Sequence, residues 1–322
     1  MRVLMSGRGV ENLTQVNEFI LLGLTNVWWL QKFLFALFLI MYAASLLGNG
    51  AIMAVLIAET KLHTPMYFFL GNLSCLDIFY STVTVPKMLA SFSSGHQAIS
   101  LTGCLAQLHF FHFLGSSEAM LLGVMAYDRY VAICNPLRYT VVMSKQVCLL
   151  LAVTTWSAGF LHALMHSVMT SQLHFCGPHH VHHFFCDIKP LLSLACSSTH
   201  LNLILLNIVT GSIALGPCML TLLSYLYIVI FLLLKVRSWE SRSKAFSTCA
   251  SHLMVVSLFY IPVLCNYMLA SSGASYERDM IPTLMYSVVT PVLNPVIYTL
   301  RNQEVKRSLR KFLNQKLLPE KM

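Results

Sequence analysis

FLFALFLIMYAASLLGNGAIMAVLIA, residues Phe33–Ala58, runs without a single Asp, Glu, Lys or Arg. A transmembrane helix needs about 20 apolar residues to cross about 30 Å of hydrocarbon. This stretch is long enough to span a bilayer once. It therefore predicts that the chain is an integral membrane protein.

The rest of the chain follows the same pattern. It is 57% hydrophobic and 10% charged over 322 residues, whereas a soluble domain carries roughly 25% charged residues. This composition excludes an ordinary cytosolic enzyme, and it excludes disorder, which needs low hydrophobicity and high charge. We expect an all-α bundle of seven transmembrane helices, at residues 33–58, 65–90, 101–128, 146–167, 201–234, 245–270 and 280–300.

Basic residues set the expected orientation. Most of the 21 Lys and Arg residues fall in the loops after helices 1, 3 and 5 and in the C-terminal tail, and the positive-inside rule places that side in the cytoplasm. The expected organisation is an extracellular N-terminus (1–32), a seven-helix domain (33–300) and a cytoplasmic tail (301–322). Asn12 would be a glycosylation acceptor, and Glu304–Leu317 an amphipathic helix on the membrane surface. The net charge of +9 suits anionic lipid and a cytoplasmic partner, and needs no nucleic acid.

Four of the ten cysteines lie on the expected outer side, where disulfides form. Four cysteines allow three connectivities, and the residues alone do not choose among Cys104, Cys176, Cys186 and Cys196. The long outer loop, residues 168–200, also holds four clustered histidines that could bind Zn²⁺ or Cu²⁺. No spacing matches a closed structural zinc site, so a folded, histidine-rich polar lid is the favoured interpretation of His179, His180, His182 and His183.

Few ionisable residues lie within the predicted spans. Each costs about 2.5–3.5 kcal/mol at the centre of a lipid-exposed helix, so Asp77, Glu118 and Arg129 must face the bundle. Asp77 and Glu118 would share a proton or hold a cation such as Na⁺, and both interpretations stay open. In helix 7, Pro291 and Pro295 flank Asn294 and free backbone carbonyls, which favours a hinge over plain architecture.

Enzyme motifs are missing from the sequence. It contains no P-loop, no GxGxxG and no GxSxG, and His162-Ala-Leu-Met-His166 lacks the glutamate of a zincin helix. A transporter would show repeated halves with broken helices, which seven unlike spans do not suggest. A transporter or channel is thereby disfavoured and is kept as an alternative.

The end of predicted helix 3 carries a specific resemblance. Met125-Ala-Tyr-Asp128-Arg129-Tyr130-Val-Ala-Ile-Cys134-Asn-Pro136-Leu-Arg-Tyr139 resembles the signature of olfactory receptors, which are rhodopsin-like (class A) G-protein-coupled receptors. Further matches follow in chain order over nearly the whole chain, at Gly48-Asn49, Pro65–Asp77, Trp156, Lys244–His252 and Pro291–Asn302. One departure is Ile261-Pro262 after Phe259-Tyr260, where the family usually has Gly and Thr.

The resemblance implies residue roles. It implies the disulfides Cys104–Cys186 and Cys176–Cys196. Arg129 would lie against the G protein, with Asp128 restraining it at rest and Tyr130 completing the motif. Switch and hinge positions would be Asp77, Glu118, Asn294, Pro295 and Tyr298. The matching ligand-binding positions are Phe111, His112, Gly115, Ser116, Val209, Thr210, Tyr260, Val263 and Tyr267.

The expected function follows from the same resemblance. The chain would be a plasma-membrane receptor, in olfactory cilia, for small and mostly apolar volatile molecules. It would activate the stimulatory olfactory G protein and raise cyclic AMP, with no cofactor beyond the open Na⁺ question. The alternative within the fold is a receptor for a non-odorant metabolite expressed outside the olfactory epithelium.

Overall fold

Seven long helices form the described part of the chain. A computed structural model describes residues 17–95, 97–176, 179–269, 277–301 and 303–317; Asn12 lies outside them. Helices 1 to 5 are Trp28–Ala58, Pro65–Ser94, Leu101–Cys134, Lys145–Ser171 and His200–Lys235. Helix 6 is Trp239–Leu264 continued by Cys265–Leu269, and helix 7 runs through Glu277–Leu284, Met285–Val289 and Thr290–Arg301. The expected seven-helix bundle is confirmed.

Most of these helices extend beyond the predicted apolar stretches. Helix 3 continues to Cys134, past Asp128 and Arg129, and helix 6 begins at Trp239. An apolar run predicts only the part of a helix that lies within the hydrocarbon core of the bilayer. The helix itself continues until its terminal backbone groups are capped. The side chains of Ser100, Ser144 and Ser238 accept hydrogen bonds from backbone N–H groups three residues later, as preferred N-cap residues do.

Helix 3 runs through the centre of the bundle. Six helices are long and apolar enough to span a membrane; helix 3 is the seventh, and it packs against helices 2, 4, 5 and 6. Gly159 permits a close approach of helix 4. A Cβ at Gly159 would lie 2.2 Å from Ser117 Oγ and 2.8 Å from the carbonyl oxygen of Phe113. Close backbone approach at small residues is the usual way that membrane helices associate.

A small sheet covers one end of the bundle, which we call the sheet end. Strand β1 (Glu18–Leu21) pairs antiparallel with β2 (Ala98–Ser100) and parallel with β3 (His180–Val181). The sequence analysis missed these strands because two to four residues give no periodic signal. The sheet holds the N-terminal segment against the loop between helices 4 and 5.

Two disulfides lie at the sheet end. Cys104 at the start of helix 3 bonds Cys186, and Cys176 bonds Cys196 within the loop. These are the pairs that the resemblance implies. The first disulfide anchors the loop, with its short helix Ile188–Leu192, to the top of helix 3.

Helices 5, 6 and 7 each contain a π-helical turn. These turns are Leu206–Thr210, Cys265–Leu269 and Met285–Val289. A π turn inserts a residue and often marks a functional site. All three lie in the half of the bundle nearer the sheet.

The expected amphipathic segment is helical over Gln303–Leu317. It packs beside helices 1 and 7. Lys311 Nζ lies 2.8 Å from Glu59 Oε1, and the hydroxyl of Tyr67 donates to Glu304 over 2.8 Å. These contacts join the tail helix to the ends of helices 1 and 2.

Candidate ligand-binding site

A small cavity lies within the half of the bundle nearer the sheet. Its volume is about 40 Å³, which is room for a few water molecules. Helices 2, 3, 5, 6 and 7 line it, with Tyr80, Phe111, His112, Gly115, Ser116, Ala119, Thr210, Ile213, Ala214, Phe259, Val263, Tyr267 and Tyr286. A molecule of odorant size therefore has to move side chains when it enters.

Aromatic rings form one wall of the cavity. The centroid of Phe111 lies 5.1 Å from that of Tyr80 and 4.2 Å from that of Phe185, and Tyr286 packs 6.0 Å from Phe111. Phe185 comes from the loop between helices 4 and 5, so the loop contributes to the packing of this wall. Such rings give a ligand apolar area to bury, worth about 25 cal/mol per Å².

Hydroxyl and imidazole groups form the facing wall. His112 and Ser116 are one turn apart on helix 3, and Thr210 ends the π turn of helix 5. Behind them, His162 Nδ1 lies 2.8 Å from Ser116 Oγ, and His162 Nε2 lies 2.9 Å from Thr210 Oγ1. A mostly apolar cavity with a few hydrogen-bonding groups is typical of a small-molecule site.

The loop after helix 4 forms the roof. Asp187 Oδ1 lies 3.5 Å from His112 Nε2 and accepts a hydrogen bond of 2.7 Å from the backbone N–H of Ile188. Burial opposes ionisation of Asp187, but the hydrogen bond and charge of His112 and the nearby His183 outweigh it and hold the pKa of Asp187 below its ordinary value. Lys189 Nζ donates to the carbonyl of Asn266 and lies 5.3 Å from the ring centroid of Tyr267. The roof is thereby linked to helices 3 and 6.

The cavity lining overlaps the expected ligand-binding set. Two expected residues do not line it: Val209 is only partly buried, and Tyr260 donates its hydroxyl to the carbonyl of Ala119 over 2.6 Å. Tyr260 does not line the cavity because its position on helix 6 orients its side chain toward helix 3. The sequence analysis missed the lining residues on helix 2, on helix 7 and elsewhere on helices 3, 5 and 6: Tyr80, Ala119, Ile213, Ala214, Phe259 and Tyr286.

Helix 4 was also missed. The sequence did not predict that His162 and His166 contribute to the site, because their spacing was compared only with a metalloprotease motif. Four-residue spacing also places two side chains on one helix face. Both imidazoles are buried and point toward helices 3 and 5. Two polar residues on one face of an otherwise apolar span were the signal that could have found them.

Below the cavity, helices 1, 2, 3 and 7 enclose a polar cluster. Asn294 Nδ2 donates to both carboxylate oxygens of Asp77, at 3.1 and 3.0 Å. Asn49 Nδ2 donates to the carbonyl of Pro291 over 2.9 Å. Both oxygens of Glu118 are buried with no hydrogen-bond partner among the described residues. Two buried carboxylates so close in the bundle call for a neutralising proton or cation.

The opposite end of the bundle holds the Asp128-Arg129-Tyr130 motif. Asp128 Oδ1 accepts a hydrogen bond of 2.8 Å from Tyr139, and the Arg129 guanidinium contacts Met66 Sδ. The ion pairs among the described residues do not include Asp128 with Arg129, and the restraint of Arg129 by Asp128 stays a prediction. Tyr130 packs at 5.1 Å against Tyr227 of helix 5.

Two further expected switch residues also face other helices. Pro295 lies so close to Gly48 that a Cβ there would come within 2.9 Å of its ring. Tyr298 is buried, and its hydroxyl has no partner within the described ranges. Near it in the bundle, Tyr225 Oη lies 2.7 Å from His252 Nδ1 and joins helices 5 and 6.

The histidine-rich loop differs from its expected polar character at one position. His183 is buried beside Phe184 and Phe185, with ring centroids 4.6 Å from each. Burial lowers the pKa of His183 to about 4. Across the residues that the structure describes, no three His, Cys, Asp or Glu side chains come together as metal ligands.

The chain folds as a seven-helix membrane bundle with a cavity near one end, covered by a roof that a disulfide anchors. This architecture defines a class of membrane receptors, with which known proteins can be compared. The family model for the olfactory receptor matches residues 38–316. Olfactory receptor 12D1 of Homo sapiens is 59% identical over 97% of this chain and 97% of its own length. Olfactory receptor 12D3 of Homo sapiens is also 59% identical, over 97% and 98%, and olfactory receptor 5B21 of Mus musculus is 47% identical over 95% and 96%.

The chain belongs to the olfactory receptor family of rhodopsin-like G-protein-coupled receptors. It is therefore a multi-pass plasma-membrane receptor for odorants and not an enzyme.

Proposed function

We propose that this receptor binds small, mostly apolar volatile molecules in the cavity between helices 3, 5 and 6, and that binding activates the stimulatory olfactory G protein and raises cyclic AMP. The observation that carries the proposal is the cavity itself, where aromatic rings face a short row of hydroxyl and imidazole groups. The apolar part of a ligand would bury against Phe111 and Val263. One polar group would be oriented by His112, Ser116 or Tyr267.

The proposed response is a movement of helix 6 away from helix 3 at the end opposite the sheet. That movement opens a crevice beside Arg129, into which the G protein inserts. A ligand shifts this equilibrium only by binding the open arrangement more tightly than the closed one. Expansion of the small cavity on binding supplies such a difference, because Tyr267 and Val263 both lie on helix 6.

The proposed orientation has the sheet end outside the cell. Residues 1–32 would be extracellular and residues 301–322 cytoplasmic, with residues 33–300 between them. Two observations support this orientation. Both disulfides lie at the sheet end, and disulfides form in oxidising compartments. The basic residues gather at the other end, as the positive-inside rule expects of the cytoplasmic side.

We also propose that Asp77 and Glu118 are neutralised together, by a shared proton or by Na⁺. The support is the burial of both carboxylates and the unpaired oxygens of Glu118. Replacing sodium with choline at constant ionic strength distinguishes the two. A bound Na⁺ predicts a lower melting temperature without sodium, and a shared proton predicts no change. Glu118→Gln should abolish any sodium dependence.

The experiment for the main proposal is a screen of volatile molecules in cells that report cyclic AMP. Wild-type receptor should respond, whereas Arg129→Ala should reach the surface and remain silent, since that charge would contact the G protein. Lys145→Ala, at the start of helix 4, is the matched basic control and should respond normally. A surface-expressed Arg129→Ala that signals fully would contradict the role of Arg129. A response only to non-volatile metabolites would favour the alternative receptor function.

A further inference from the structure

A chain of four buried hydrogen-bonding side chains crosses helices 3, 4 and 5. Ser116 Oγ lies 2.8 Å from His162 Nδ1, and Thr210 Oγ1 lies 2.9 Å from His162 Nε2. Thr210 Oγ1 also lies 3.0 Å from His166 Nε2. Ser116 and Thr210 line the cavity, whereas the two histidines of helix 4 lie behind it.

Local structure explains why these four groups meet. His162 and His166 are one turn apart and share a helix face, and their ring centroids lie 4.7 Å apart. Thr210 closes the π turn Leu206–Thr210, which carries its hydroxyl between the two rings. All four side chains are buried, so each bond forms in a region of low dielectric constant, where it is stronger than in water.

The number of available protons limits how the four side chains can be hydrogen-bonded to one another. The hydroxyl of Thr210 has one proton and two lone pairs and faces two imidazole nitrogens, so at least one Nε2 must donate to it. Both imidazoles are buried among apolar helices, and a second proton on either ring would be an unpaired buried charge. With neutral rings, three arrangements of the chain remain. Two run in opposite directions along the chain, and in the third both Nε2 atoms donate to Thr210 and His162 Nδ1 accepts from Ser116.

In the first arrangement, His166 donates to Thr210, and Thr210 donates to His162 Nε2. His162 then donates from Nδ1 to Ser116, and the Ser116 proton is free to reach the cavity. In the second arrangement, every bond is reversed: Ser116 gives its proton to His162 Nδ1 and offers the cavity only lone pairs. His162 thus decides whether Ser116 acts as donor or acceptor toward a ligand.

We propose that His162, which does not touch the ligand, sets the hydrogen bond that Ser116 offers, and that the site therefore selects uncharged molecules bearing a hydroxyl or carbonyl oxygen. This inference rests on the proposed function. A ligand oxygen accepts from Ser116 and holds the chain in the first arrangement. A ligand hydroxyl can in addition donate to Thr210, which keeps one lone pair in the first arrangement.

Other ligand classes are disfavoured for stated reasons. The cavity lining, as far as the structure describes it, contains no Asp, Glu, Lys or Arg. A carboxylate would meet no Lys or Arg there, and the nearby Asp187 already engages His112 at 3.5 Å and is not left to pair an ammonium, so burial of either charged group is unfavourable. A hydrocarbon has no oxygen to accept from Ser116 and gains no hydrogen bond from the site, and sites built to hydrogen-bond a ligand reject analogues that lack the group.

The first part of the test is a matched panel on the wild-type receptor. Alcohols, ketones and aldehydes are compared with carboxylic acids, amines and hydrocarbons of the same carbon skeleton, by concentration–response curves for cyclic AMP. The proposal expects the oxygen-bearing neutral molecules to be the most potent. Acids, amines or hydrocarbons of equal or greater potency overturn it.

The second part uses variants of the chain. His162→Phe removes both of its bonds and should weaken alcohols and ketones by about threefold to tenfold, with little change for a hydrocarbon agonist. His162→Asn keeps a nitrogen close to the Nδ1 position and should restore potency. His109→Phe is the matched control, because His109 bonds Ser167 over 3.2 Å and does not line the cavity.

A double-mutant cycle separates positioning from packing. Ser116→Ala alone should weaken the same ligands, and adding His162→Phe should cost little more, because the two residues act through one bond. Should His162→Phe fail to reach the surface, His162→Gln replaces it, since its longer side chain reaches Thr210 rather than Ser116. Fully additive effects, or losses shared equally by all ligand classes, overturn the proposal. Silence to every panel member in surface-expressed receptor would instead reject the proposed function itself.

Discussion

The phenolic hydroxyl of Tyr260 donates a hydrogen bond of 2.6 Å to the backbone carbonyl of Ala119. The bond joins helix 6 to helix 3 beside the cavity, because Ala119 is one of the lining residues. Tyr260 is fully buried there and the bond is shielded from water. An outward movement of helix 6 at this depth has to break it.

We predict that Tyr260→Phe raises signalling in the absence of ligand. The substitution keeps the ring and removes one net hydrogen bond, worth about 0.5–1.5 kcal/mol. The equilibrium constant that favours the closed arrangement over the open one should therefore fall by about twofold to tenfold. Basal cyclic AMP per receptor at the surface is the measurement. Tyr227→Phe, which alters an exposed ring on helix 5, is the control. An unchanged or lower basal signal would show that this bond does not restrain helix 6.

Gly159→Ala should destabilise the receptor. The new Cβ would meet Ser117 Oγ at 2.2 Å and the carbonyl of Phe113 at 2.8 Å, and overpacking of this kind typically costs 1–3 kcal/mol. A lower melting temperature of purified receptor, with less receptor at the surface, is expected. Gly216→Ala has nothing within 4 Å of its Cβ and should be neutral or mildly stabilising. Equal melting temperatures for the two variants would contradict the close approach of helices 3 and 4.

Acid should loosen the loop through His183. Burial lowers the pKa of His183 from 6.5 to about 4, so between these values the unfolded loop binds a proton that the folded loop does not. Its contribution to stability is therefore complete above about pH 6.5 and is lost as the pH falls toward 4. The pKa of Asp187 is lowered from 3.8, so the stability contributed by Asp187 is lost only below this window.

The measurement is the melting temperature of purified receptor across that pH range. His183→Phe should reduce the fall in melting temperature at acidic pH, because a third aromatic ring fits beside Phe184 and Phe185. His174→Phe, an exposed position in the same loop, should leave the decline unchanged. A decline of the same size in all three proteins would assign the acid sensitivity to other groups.

Loss of the disulfide between helix 3 and the roof should impair the receptor more than loss of a buried thiol. Cys104 and Cys186 are separated by 82 residues, and closing so long a loop restricts the unfolded chain by about 4–5 kcal/mol in the chain-entropy model. Cys104→Ser should reduce surface delivery and ligand response. Cys218→Ser, at a buried free cysteine, should be milder. Normal delivery and response of Cys104→Ser would refute the structural importance of the bond.

Sequence reasoning worked best where one physical signal dominated. Long apolar stretches with few or no charged residues predicted the seven helices, because hydrocarbon thickness fixes the length that a span needs. Asp77 was predicted to face the bundle, and it lies fully buried against Asn294. The strands were not predicted, because pairing between distant short segments leaves no local pattern.

The relation between Tyr260 and Tyr267 shows a second limit. Seven-residue spacing predicts one face two turns apart on an α-helix, yet only Tyr267 lines the cavity. Tyr267 lies within the π turn Cys265–Leu269, where each residue advances by a smaller angle than in an α-helix. A spacing argument carried across such a turn loses its register, and nothing in the residue types announces the turn.

The bond from Asn49 to the carbonyl of Pro291 has a consequence for biosynthesis. Its partners are 242 residues apart, on the first and last helices, so a ribosome makes nearly the whole chain before the bond can form. Until then Asn49 on helix 1 and, once made, Asp77 on helix 2 lack the partners that helix 7 supplies, and polar groups without partners are unfavourable in lipid. The nascent protein thus holds its early spans in an incomplete state through most of translation.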